Sequence, residues 1–547
     1  MWKRLCLIGL VLTLVVTTMA SFAFAAEEAE LAEKQILTFA ASGRDIHTMD
    51  PHFATTYIEY PLVEAIFNGL VRFPPGESVS IEEIESDLAK SWDANEDKTV
   101  WTFHLREGVQ WHKGYGEFTA EDVKFSLGRV SDPELGSPWR SSFAGVEDVE
   151  IVDKYTVRVT LKQPNPFFLL NVSNYHGGYI VPKEAVQELG EDFATDPIGS
   201  GPFVFQGYQP RKKVTLEAND DYFRGAPILS EIEYLFMPDQ TSRELALRTG
   251  EIDAADFPNI QKWAEELKKQ DFVVDLQGPG NMYHLHFNMS EEPFDNYKVR
   301  QALAYAFDRG KIVEYRGPAI VEKTYSMVPP GYFGHISDVR KYEYDLDKAE
   351  ELLEEAGYPD GFSFQIFISE AESYKPYAVQ AQSMWEEIGV DMQLKVVDHS
   401  SYHSLIRKDS NAVVFYNASR LPLADVYLRQ WFHSKSIVDK PTAVTNFSHY
   451  GEVDADGDGE VDSIDELIDE AASDPDLDRQ KELYAEAQKQ IAEDVPAFSY
   501  VQEQTIFARR PSVSLPYGTE DDQGYVHFQN MWAGYILNEN VKIVKTG

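Results

Sequence analysis

A chain of 547 residues with 43% hydrophobic and 13% aromatic content can bury more than one core, so two or three domains are expected. Its 91 acidic residues outnumber 49 basic ones for a formal charge of −42, an anionic surface that argues against nucleic-acid and peripheral-membrane binding. The single cysteine excludes a disulfide framework within the chain.

Lys3 and Arg4 precede an uncharged run from Leu5 to Val16, and Ala23, Phe24 and Ala25 supply small residues at the spacing a signal peptidase reads. Residues 1–25 therefore read as a cleaved secretory signal peptide, and the mature chain as periplasmic. The apolar run is shorter than the roughly 20 residues a membrane-spanning helix needs. Cys6 lies inside the signal, so the mature chain has no thiol. Glu27 to Lys34 reads as a polar leader with some helical character. Ile36 to Ala40 reads as the first strand, followed by a loop opening with Met49, Asp50 and Pro51. Tyr60 to Leu70 carries Leu62, Val63, Ile66, Phe67 and Leu70 at helical spacing, which predicts a core helix of packing residues.

The stretch from Ala89 to Leu127 is the most distinctive. Trp101, Phe103 and Leu105 alternate with Thr102 and His104, the period-two pattern of a half-buried strand, and a second short strand is expected after the Gly108 break. Thr119 stands where an N-cap belongs, with Glu121 and Asp122 in the first turn of a helix carrying Val123, Phe125 and Leu127. Its wording runs Ala89-x-Ser91-Trp92, then Trp101-x-Phe103-x-Leu105-Arg106-x-Gly108-Val109-x-Trp111-His112, then Thr119-Ala-Glu-Asp122-Val-x-Phe125-Ser126. This closely resembles the family-5 solute-binding proteins, extracytoplasmic receptors of bacterial ABC importers for dipeptides, oligopeptides, nickel and related solutes.

The resemblance implies an α/β fold, periplasmic-binding-protein type II-like, of two lobes with an additional small inserted domain. It assigns 36–70, 191–280 and 498–547 to domain I, 71–190 to the inserted domain II and 281–497 to domain III. It also places the Asp50-Pro51 segment close to the ligand cleft. The family shows the Gly199-x-Gly201-Pro-Phe203 element where the chain returns from the inserted domain; a phosphate loop would need a lysine and a helix start, which are missing. Gly278-Pro279-Gly280 is the clearest linker.

Beyond it, Val299 to Arg309 reads as a helix in family wording. Helix Asp347–Ala356, strand Phe362–Ile368, helix Tyr377–Ile388 and strand Asp391–Val397 then alternate as in an α/β sheet. Arg479 to Asp494 is a long amphipathic helix ended by Pro496, and Phe498 to Phe507 returns as a strand.

Two features depart from the family pattern. Peptide-binding members usually have Trp and then an acid in the loop here running from Asn417 to Leu428, and the acid holds the peptide's ammonium group. Arg420 falls at the acidic position. Arginine holds a carboxylate or phosphate bidentately and cannot anchor an ammonium, so the ligand is expected to present an anionic or strongly polar group. A structural ion pair of Arg420 with one of the many acids is the competing reading. Tyr57, Tyr175, Tyr283 and Asp425 complete the cleft candidates, on loop position and resemblance.

The second feature is an EF-hand-like loop. Counting Asp454 as position one, acids follow at Asp456, Asp458, Asp462 and Asp465, with Gly459 at the sharp turn and Glu460 offering its backbone carbonyl. Position twelve is Asp rather than Glu, which predicts weaker binding of a structural Ca²⁺. A merely solvated Asp-Gly loop is the alternative.

Metalloprotease, nucleophile-elbow and Walker motifs are absent, so an enzyme is not expected. The resemblance thus implies a receptor, expected to be monomeric, that captures a small peptide or peptide-like solute and delivers it to ABC importer permease subunits. An oligosaccharide- or opine-binding receptor is the alternative, ahead of a glycoside hydrolase or a periplasmic chaperone.

Overall fold

The computed structural model describes residues 30–76, 80–438, 445–528 and 536–546, so the expected signal peptide lies outside the described residues. Leu31 bridges to Val544 and residues 30–34 carry no helix, against the helical character expected of the leader. The chain enters the main sheet with β1 (Ile36–Ala41) and then forms helix α1 (Tyr60–Ile66). Leu62, Val63 and Ile66 are fully buried as expected, but the helix ends before Phe67. The cause lies far along the chain: Gly201 N–H donates to the Ile66 carbonyl at 2.8 Å, and a Cβ on Gly199 would meet that same oxygen at 1.9 Å. Only glycine permits this approach.

A separate four-stranded antiparallel sheet follows, built of β2 (Ala89–Ala94), β3 (Val100–Leu105), β4 (Val146–Asp153) and β5 (Thr156–Leu161) in the order β2-β3-β5-β4. Trp101, Phe103 and Leu105 point inward as their alternation predicts, with Trp101 opposite Val159 and Phe103 opposite Val157. This is the small inserted domain. No strand follows Gly108: a bridge from Gln110 to Glu117 encloses a tight turn at His112–Gly114, and the second strand of the motif is β2, upstream. Helix α2 (Ala120–Ser131) begins in a capping box between Thr119 and Asp122.

The chain returns through β6 (Phe203–Gln209), β7 (Lys213–Ala218), β8 (Glu231–Phe236) and β9 (Ala254–Phe257) to the long strand β10 (Val273–Phe287). The expected helix from Val299 is two: α3 (Tyr297–Tyr305), and a second one capped by Asp308 spanning Arg309–Arg316. Strand β11 (Val321–Lys323) precedes a parallel pair, β12 (Ser363–Ser369) and β13 (Asp391–Val397); β14 (Val413–Ala418) follows. Helices α4 (Ala424–Phe432), α5 (Asp465–Ser473) and α6 (Leu477–Asp494) lead to the second long strand, β15 (Ala497–Arg509), and the short strands β16 (Thr519–Glu520) and β17 (Val526–Phe528).

Among the described residues, eleven strands form the main sheet, ordered β16-β17-β10-β15-β9-β1-β8-β7-β6, with β14 also pairing β10 and β11 also pairing β15. Strand β10, of 15 residues, spans about 50 Å, enough to serve both lobes. Its first part, Val273–Gln277, pairs with Thr505–Arg509, beside the first-lobe strand β9; its last part pairs with Ala497–Glu503 and with β14 of the second lobe. Between these, residues 278–280 face Gln504 alone and the ladder is interrupted. Gly278-Pro279-Gly280 is thus not a free linker but a bulge inside a continuous strand.

In the second lobe Arg300 is fully buried, and its guanidinium donates to the carbonyls of Phe294, Asp295, Asp494, Val495 and Ala455.

Candidate binding site between the lobes

Helix α1 presents Tyr60 and Glu64 one turn apart, hence on one face. Tyr60 stacks on Tyr175 with ring centroids 3.8 Å apart, and Tyr175 lies 4.3 Å from the His176 ring, which packs on Trp139 at 4.2 Å. The second lobe closes on this aromatic wall. Phe333 meets Phe167 of the inserted domain at 4.8 Å, and Tyr332 lies near Tyr175. The Tyr332 hydroxyl donates to the Pro279 carbonyl at 3.1 Å, and its ring contacts Tyr427.

Arg420, just past β14, belongs to the same space. Its charge acts on Tyr60 and His176 from the first lobe and on His284 and Tyr374 from the second. The guanidinium is steered by Gln430 Oε1 at 2.6 Å and the Ser419 carbonyl at 3.0 Å, while the Arg420 amide donates to the Tyr427 hydroxyl at 2.9 Å. Among the described residues it has no carboxylate within ion-pair distance, so the structural ion pair is not formed. Burial first, and Arg420 second, push His176 down to about 3; burial, His286 and Arg420 hold His284 well below its usual value. Both imidazoles stay neutral and leave Arg420 as the local positive charge.

The other sequence candidates stand elsewhere. Tyr175 is in the aromatic wall. Tyr57 is 59% exposed and shares a hydrogen bond with Ser42 Oγ. Tyr283 is buried against Tyr377 and Tyr500, beside the Arg316–Glu503 ion pair, in the second-lobe core. Asp425 is engaged within α4 by Arg429, whose guanidinium reaches on to Asp469 and so joins α4 to α5. Tyr60, Glu64, His176 and Tyr332 were not anticipated. Tyr60 and Glu64 sit at the polar positions of a helix read for its apolar face, which is the signal that could have found them.

Of the EF-hand-like residues, Asp454, Asp456 and Asp462 bring carboxylate oxygens within 4.8 Å of one another. Asp454 caps the Gly457 and Gly459 amides, and Asp458 caps Glu460. Asp465 turns away, accepting from Ser434 N–H at 2.9 Å with His433 alongside.

Residues 83–439 match the model of the bacterial extracellular solute-binding proteins, family 5. The chain belongs to this family. This family-5 protein is 33% identical over 360 residues to heme-binding protein A of Haemophilus influenzae, covering 60% of this chain and 64% of that relative. It is 31% identical over 371 residues to the dipeptide-binding protein of Escherichia coli K12, covering 62% of this chain and 67% of the relative. Among solved structures, the binding protein MoaA of A. tumefaciens R10, in complex with mannopinic acid, superposes with a TM-score of 0.82 at 37% identity, over 94% of this chain and 100% of that one. Family-5 proteins are substrate-binding receptors of ABC importers, and the two-lobed α/β architecture described above is theirs.

Proposed function

We propose that this receptor captures, outside the cytoplasm and without altering it, a small amino-acid-derived solute whose carboxylate is held by Arg420, and passes it to the permease subunits of an ABC importer. The observation that carries the reading is a guanidinium with no carboxylate partner among the described residues, set opposite Tyr60 and His176 of the facing lobe. The likeness to MoaA in complex with mannopinic acid supports an opine-type conjugate over a plain peptide. So does the positive charge where an amine-first peptide needs a negative one. The aromatic wall of Tyr60, Tyr175 and His176 suits the apolar face of a polyol or short side chain.

Closure of the lobes would desolvate the Arg420–carboxylate pair, and truncating one partner of such a pair costs about 2–5 kcal/mol. Arg420→Ala is therefore expected to weaken mannopinic acid binding at least about thirtyfold by calorimetry, with the melting of the unliganded protein unchanged. Equal affinity in wild type and variant would exclude Arg420 as the anchor.

We also read the loop from Asp454 to Asp465 as a structural Ca²⁺ site. Asp454, Asp456, Asp462 and the Glu460 carbonyl would hold the ion, which would replace repulsion among converging carboxylates by coordination. The position-twelve carboxylate is engaged by Ser434, which fits a weak site. Melting with 1 mM calcium against excess chelator, a concentration of the order of weak extracellular sites, is expected to differ by several degrees. An unchanged melting temperature would leave the loop as solvated surface.

A further inference from the structure

We infer that Glu64 is a specificity-determining contact that takes a protonated amine of the solute on the wall facing Arg420, so that the receptor selects molecules carrying amine and carboxylate together. This rests on the reading of Arg420 as the anion anchor.

Two glutamates of the same segment make the case by contrast. Glu59, just before α1, is occupied by the fold: its carboxylate accepts from the amides of His47, Thr48, Thr55 and Thr56. Glu64, within α1, accepts from none of the described residues. Its Oε1 is buried without a partner, although a structural carboxylate so placed would normally carry N–H donors.

Its surroundings tie it to the chamber. Tyr60 lies one turn earlier on the same face of α1 and feels Arg420. From the segment packed on α1, Tyr175 and Tyr179 lie within electrostatic reach of the Glu64 carboxyl, and Tyr175 also lies near Tyr332 of the second lobe. Arg72 and Asp87 lie within electrostatic reach of Tyr179, and Arg420 of Tyr60, but none of the three shifts Glu64 itself. The carboxyl therefore lies among tyrosines, and among the described residues no cation of the protein compensates it. Burial raises its pKa to about 8, so the unliganded receptor holds it neutral at neutral pH.

An arriving ammonium supplies the missing charge. The Glu64 proton leaves to water, the carboxylate forms, and the solute N–H groups donate to it. Binding below pH 8 then releases a proton, so affinity rises with pH and levels off near the carboxyl's own pKa.

The probe is mannopinic acid, whose secondary amine lies beside carboxylates and a polyol chain. Titration calorimetry at pH 6.5–7 in two buffers of different ionisation enthalpy is expected to show about one proton released per solute bound by the wild type. Glu64→Gln should release none and bind at least about tenfold more weakly. Arg420→Ala should bind weakly yet keep the proton release, measured at raised concentration. Wild type without proton release, or Glu64→Gln with unchanged affinity and proton count, overturns the role of Glu64 and leaves Arg420 standing if its variant still loses affinity. No binding by the wild type overturns both readings. A circular-dichroism melt confirms that each variant is folded.

Discussion

Arg300→Ala is expected to lower the unfolding free energy by about 3–5 kcal/mol, read as a clear fall in the denaturant midpoint of the unliganded protein. The guanidinium is fully buried and bonds five main-chain carbonyls rather than a carboxylate. Burial lowers its pKa to about 10, and it stays charged at neutral pH. Those carbonyls come from three separate stretches: Phe294 and Asp295 before α3, Asp494 and Val495 where α6 turns into β15, and Ala455 in the acidic loop. Removal of the side chain leaves all five acceptors short of a donor and opens a cavity between α3 and α6. Arg300→Lys should recover only part of the loss, since one ammonium cannot reach acceptors spread around a planar fork. A midpoint unchanged in Arg300→Ala would show that water replaces the guanidinium without cost.

Glu64→Gln is expected to act oppositely, stabilising the unliganded protein at pH 8 while leaving it unaltered near pH 4. The folded carboxyl keeps its proton up to about 8, whereas the unfolded chain releases it from about 4.5. Between these values the folded state binds more protons, so the stability contributed by this group falls as pH rises and is lost above 8. A shift of that size is worth at most about 4–5 kcal/mol, and access of solvent to the outer oxygen reduces it. Glutamine keeps the shape and cannot ionise, so the difference between variant and wild type should grow steadily from acid to mild alkali. Parallel stability profiles across that range would show that the glutamate is solvated as an ordinary carboxylate. Greater stability gained by removing a group that binds solute is the usual exchange at functional sites.

Much of the fold was legible because its signals are local. The alternation in Trp101, Phe103 and Leu105, the Thr119 cap and the strand Asp391–Val397 lie where the pattern put them, since each is decided by residues within one element. The errors share a cause of another kind. Helix α1 stops at Ile66 because a loop more than 130 residues later takes its last carbonyl, which no window around α1 reveals. Gly278-Pro279-Gly280 looked like a linker because its composition says turn; its place within a strand is set by the partner strand, in a segment more than 200 residues later. Of the proposed contacts, Arg420 was visible as a charge of the wrong sign in a familiar loop. Glu64 was not, because one acid among 91 is marked only by its missing partners.

The two halves of the molecule share β10 and β15 as one antiparallel ribbon, paired at both ends, with its widest gap where residues 278–280 oppose Gln504 and a smaller bulge at Tyr500. Such a ribbon is stiff against stretching and sliding, because either would break paired amides, yet it twists readily where they are absent. A swing of the lobes about this gap would therefore keep the strand register on either side of it. Tyr332, bonded to the Pro279 carbonyl at that gap and lying near Tyr175, would link such a swing to the aromatic wall.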